Sequence, residues 1–135
     1  MSLGAYKKTI KDTETPRQIE RRILATITAD LSVHMDHFDK TDSKLEKLAI
    51  LSGSLRKALS DNIKLWSALK MDLLHPENKF GPELRSQLIS LALYVERQTG
   101  DILRGEGKVR ELVDLNRSMI DGLSGKAPDL PAKAG

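Results

Sequence analysis

The sequence predicts an all-α fold: a single-domain bundle of three to four helices with a long first helix. Three observations lead there. Apolar residues recur at three- and four-residue steps, no stretch alternates as a strand does, and between Arg17 and Ser52 there is neither glycine nor proline. At 135 residues the chain fits one domain, a size that buries roughly two-thirds of the unfolded surface, so no metal or disulfide staple is required.

Residues 1–15 read as an extended N-terminal segment. Thr15, Pro16 and Gln18 supply an N-cap, a proline at the first helical position and a capping-box glutamine, so the first helix starts at Pro16. Its stripe is Ile19, Ile23, Leu24, Ile27, Leu31, Met35 and Phe38, and Leu24, Leu31, Phe38 and Leu45 continue at sevens. One helix near 16–51 follows. The polar run Asp39-Lys40-Thr41-Asp42-Ser43 offers the alternative of a break there, with Ser43 and Glu46 as a second capping box. Gly53 suits a cap. Leu55, Ala58, Leu59, Asn62, Leu65, Trp66, Leu69 and Leu73 then predict a helix near 54–74, stopped before Pro76.

Gly81-Pro82-Glu83 opens a helix near 82–99. Leu84, Leu88, Leu91 and Val95 make one apolar face, and Ile89, Ala92 and Leu93 make another, which places this helix mid-bundle. Gly100 and Gly105-Glu106-Gly107 bracket a connector carrying Ile102 and Leu103. Val109, Leu112, Val113, Asn116, Met119, Ile120 and Leu123 stripe a helix near 107–122. The helical domain thus spans 1–123, and the Gly-, Ala-, Lys- and Pro-rich stretch 124–135 is expected to be a disordered tail.

Composition narrows the function classes. Without cysteine, no disulfide framework, thiolate nucleophile or cysteine zinc site is available. The N-terminus lacks a signal peptide's apolar region, and the longest near-apolar run, Leu88 to Val95, falls far short of the roughly 20 residues that span a bilayer. A soluble, cytoplasmic protein is expected. The balance of 22 basic and 19 acidic residues gives a net charge of +3, and the interspersed signs read as a mixed helical surface rather than a nucleic-acid patch.

No catalytic frame stands out. His34 and His37, three residues apart with Asp36 and Asp39 nearby, have metal-ligand spacing but no evident third ligand; the plainer reading leaves His37 and the aspartates solvated. Gly105-Glu106-Gly107-Lys108 precedes a helix whose free amides attract anions, yet the P-loop pattern is missing and an ordinary loop is expected. Ser52-Gly53-Ser54 lacks a nucleophile elbow. Neither an enzyme nor a metal or cofactor is expected. Asn62 and Asn116 fall inside apolar stripes, where an unpaired amide costs about 1–3 kcal/mol. They fix helix register or recognise a partner. Trp66, the sole tryptophan, is either core or a binding anchor.

Against that frame the chain resembles the FlaF family, flagellar proteins of alphaproteobacteria. The resemblance lies in Met1-Ser2-Leu3 with Ala5-Tyr6, Thr15-Pro16-Arg17-Gln18 with Glu20, Asn62, Leu65-Trp66, Leu69, Asp72-Leu73, and Pro76 with Asn78. It continues through Leu84-Arg85, Gln87-Leu88-Ile89-Ser90-Leu91, Leu93, Val95, Arg104-Gly105-Glu106, Asn116-Arg117, Met119-Ile120 and Gly122-Leu123, covering most of 1–123. Departures are Phe80 where a leucine is usual before the proline, Tyr94 where tryptophan is common, and about ten extra residues between Leu31 and Asn62. That insertion is close to three helical turns and favours the long first helix.

The resemblance implies a flagellum biogenesis factor that binds flagellin in the cytoplasm and supports its synthesis and export, alongside an FlbT-type translational regulator. Flagellin's terminal segments are amphipathic helices, so a groove accepting an apolar helix face is the expected site. Leu65, Trp66, Leu69 and Tyr94 are its candidates, with Arg85 and Arg117 as a polar rim. The alternative is direct binding of flagellin messenger RNA through Lys7, Lys8, Lys11, Arg17, Arg21 and Arg22, for which only Tyr6 offers an aromatic beside the basic residues. A third reading is a bundle that homodimerises.

Overall fold

The structure, a computed structural model, describes residues 16–123. The expected extended N-terminal segment and disordered tail lie outside them. Among the described residues there are five helices: α1 (Pro16–Lys40), α2 (Lys44–Leu51), α3 (Ser54–Leu74), α4 (Pro82–Leu103) and α5 (Val109–Leu123). The four long helices close on one another, α1 packing on α5 and α3, and α4 on α3 and α5; short α2 leans on α1 and α3. The core between them is built from Leu31 and Phe38 of α1, Leu55, Leu59 and Trp66 of α3, Val95 and Ile102 of α4, and Leu112, Val113 and Leu115 of α5.

The expected single helix over 16–51 is corrected: it breaks at 41–43, giving five helices among the described residues instead of three or four. Ser43 leaves the helical region at φ −85°, ψ 118°, and its hydroxyl accepts from the Glu46 amide at 3.2 Å. The reciprocal arm of the capping box runs through Thr41, whose Oγ1 accepts from the Ser43 amide at 3.2 Å and whose hydroxyl donates to the Glu46 carboxylate. Two local acceptors outcompete one more turn of helix. The break also ends the heptad stripe, because Leu45 turns outward and is 80% exposed. The extra residues before Asn62 therefore accompany a corner and a short helix, not a longer first helix.

Two expectations for α4 also change. It runs through Gly100 to Leu103, burying Ile102 completely, because the stop signal is Gly105. At φ +78° Gly105 takes the left-handed position, its amide bonds Ile102 O at 2.9 Å, and the Glu106 amide reaches back to Asp101 O at 2.8 Å, a Schellman closure. Gly107 is required for a second reason: a Cβ there would sit 3.1 Å from the Ile102 backbone nitrogen. Nor is α4 buried on two sides. Leu88, Leu91, Ala92, Val95, Thr99 and Ile102 form one inward face, whereas Leu84 and Leu93 are exposed, since α4 packs chiefly on α3 and α5.

Candidate functional site

The middle of α3 supplies most of the site. Asn62, Leu65, Trp66 and Leu69 follow at three-, one- and three-residue steps, which turns them toward α1, α4 and α5. Trp66 is 2% exposed, and its indole N–H donates to Asn116 Oδ1 at 3.0 Å. The Asn116 amide in turn donates to Asn62 Oδ1 at 2.8 Å. Both asparagines are fully buried, and the Asn62 amide nitrogen has no partner. A hydrogen-bonded line therefore crosses the core from α3 to α5 and back, holding the indole in place.

Beside the indole lies an apolar cleft of about 260 Å³. Its apolar lining comes from Leu24 of α1, Leu65, Trp66, Ala68 and Leu69 of α3, Leu88 of α4 and Met119 of α5. Phe80 contributes from the α3–α4 connector, and Glu20 and Asp72 bring carboxylates to the edge. Phe80 is held there by Asn78, whose side chain accepts from the Phe80 amide at 3.0 Å and donates to Asp72 O and Asp72 Oδ2 at 3.2 and 3.1 Å. The Asp72 and Asn78 of the sequence pattern are thus two ends of one turn.

Of the sequence-derived candidates, Leu65, Trp66 and Leu69 meet at this cleft, Trp66 as its floor instead of an exposed anchor. Tyr94, Arg85 and Arg117 do not line it. Tyr94 is half-buried at the α4–α5 seam, its hydroxyl donating to Glu111 Oε2 at 3.1 Å. Burial, reinforced by the Glu111 charge, pushes the Tyr94 hydroxyl up to about 12. Arg85 is half-buried on α4 and Arg117 exposed on α5, so the charges at the cleft edge are acidic, not the expected arginines. Phe80, Met119 and Glu20 were not foreseen. Each belongs to a different element, and their convergence is a property of the packing.

The other sequence features resolve locally. His34 Nε2 lies 2.6 Å from Ser54 Oγ, and exposed His37 stands 3.7 Å from the Glu46 carboxylate. Among the described residues no three histidine or acidic side chains gather as a metal site. Asp39 is not solvated as expected: its two oxygens accept from the Val109 and Arg110 amides at 2.7 and 2.9 Å. The anion-attracting helix start that follows Gly105-Glu106-Gly107-Lys108 is occupied by the chain's own carboxylate.

Taken together, the described residues define a helical-bundle protein with an acidic-edged apolar cleft, and none of the described helices is long and apolar enough to cross a membrane. The model of the family described as flagellar protein FlaF matches residues 2–123. The chain belongs to the FlaF family and is a flagellar protein. No curated protein and no solved structure matches it.

Proposed function

We propose that this protein is a non-catalytic flagellin-binding factor acting in the cytoplasm, where it supports flagellin synthesis and export beside an FlbT-type regulator. The observation that carries the reading is the apolar cleft enclosed by all four long helices. At about 260 Å³ it falls below the roughly 300–1,000 Å³ of small-molecule pockets. It suits the side chains projecting from one face of an amphipathic helix, the form of flagellin's terminal segments. Covering that face before export would keep flagellin from polymerising.

The test is to mix the purified protein with flagellin and size the mixture by light scattering. A complex is expected, and Leu65→Asp and Leu69→Asp should abolish it while leaving the helical signal intact. Absence of a complex at micromolar concentrations would overturn the proposal. The messenger-RNA alternative gains no comparable feature. Lys7, Lys8, Lys11 and the Arg17 side chain lie outside the described residues, and the cleft edge carries Glu20 and Asp72, which repel phosphate.

A further inference from the structure

The cleft leaves Leu65, Leu69 and Met119 only half-buried, and the protein carries its own candidate cover. We propose that the cleft takes the N-terminal segment of the same chain, residues 1–15, as an internal occupant. The proposal does not depend on flagellin being the client.

Position is the first argument. Glu20 and Leu24 line the cleft from the opening turns of α1, Glu20 only about 6 Å along the axis from Pro16. The segment is therefore delivered at the mouth. Fifteen residues reach about 50 Å when extended and about 22 Å as a helix, and both lengths suffice to lie across the cleft.

Chemistry is the second. Leu3, Tyr6 and Ile10 stand at three- and four-residue steps, one large apolar side chain per turn, matching a lining of leucines, Phe80 and Met119. Lys7, Lys8 and Lys11 interleave with them, and the edge they would meet bears Glu20 and Asp72. The segment's own acids, Asp12 and Glu14, fall next to the start of α1, where the helix dipole favours negative charge. Apolar and charged positions are thus each complementary to what they would face.

Tethering is the third. A short intrachain link gives an effective concentration in the millimolar range, so an affinity too weak to detect between separate molecules still fills the site. Any partner helix then competes with the segment, and its apparent affinity is reduced by the fraction of cleft left open.

The absence of cysteine makes the test direct. Ser2→Cys in the full chain accepts a single nitroxide, and paramagnetic broadening is read residue by residue in the NMR spectrum. Loss of signal is expected at Leu65, Leu69, Leu88 and Met119 and not at Leu45 or Leu48 of α2. Adding Tyr6→Asp with Ile10→Asp to the labelled chain should restore those signals, with the α2 resonances, remote from the cleft, unmoved as the check on folding. Broadening limited to residues adjacent in sequence to the label would overturn the proposal, as would broadening that survives the double substitution. So would broadening that appears equally when spin-labelled chains are mixed with isotope-labelled, nitroxide-free ones, since the occupant would then be a second copy.

Discussion

Asn116 sits at the junction of the buried hydrogen-bonded line, accepting from Trp66 and donating to Asn62. Removing it orphans an indole N–H and a carbonyl in a place water does not reach. Each loss costs about 1–3 kcal/mol. Asn116→Ala should therefore destabilise the protein by about 2–5 kcal/mol in urea unfolding. Tyr94 makes a prediction of opposite kind. Its hydroxyl, pushed up to about 12 by burial and by Glu111, stays neutral in the folded state after the unfolded chain, near 10, has begun to ionise. The stability this contributes is complete below pH 10 and lost as pH rises towards 12. Tyr94→Phe should remove that part of the alkaline decline, measured as the difference between the two proteins' unfolding curves. The two asparagines were legible in the sequence because an amide in an apolar stripe is conspicuous. What they bond to was not, because 54 positions separate them.

At the scale of elements, helix starts and stops were mostly readable, since caps are made by neighbours in sequence. Ser43 and Glu46 announced the break in the first helix. The heptad spacing that argued against it had no means of registering that Leu45 would find no core to enter. Gly100 misled for a similar reason: glycine inside a helix costs about 1 kcal/mol and is tolerated when Ile102 beyond it is buried. Gly105, by contrast, has no substitute. Gly105→Ala should cost about 1–2 kcal/mol, because a Cβ is forced into the left-handed region, with a matching fall in thermal midpoint. Asp39→Ala should cost about 1–2 kcal/mol by uncapping α5, and the sharper readout is faster hydrogen exchange at the Val109 and Arg110 amides.

For the whole molecule, the family and the helical class were legible, and the candidate cleft only partly so. Leu65 and Leu69 were identifiable from one helix face. Their partners Leu24, Phe80, Leu88 and Met119 come from three other helices and a connector, and only the packing brings them within reach of one ligand. The exposed leucines provide the contrast. Leu45→Lys and Leu48→Lys, on the outer face of α2, should change stability by less than about 0.5 kcal/mol and leave the proposed flagellin complex untouched, as read by calorimetry and by co-elution.

The carboxylate of Asp39 at the head of α5 joins positions 70 and 71 residues apart, and α1 spends much of its apolar stripe on that same last helix. During synthesis the first helix thus leaves the ribosome long before the element that completes it. Until α5 emerges, Leu24, Leu31 and Phe38 lack a main wall of their enclosure, and closing the bundle waits on a contact between the two ends of the helical order. While it is being made, the chain therefore has sticky helices of its own to keep from straying until the last described helix arrives.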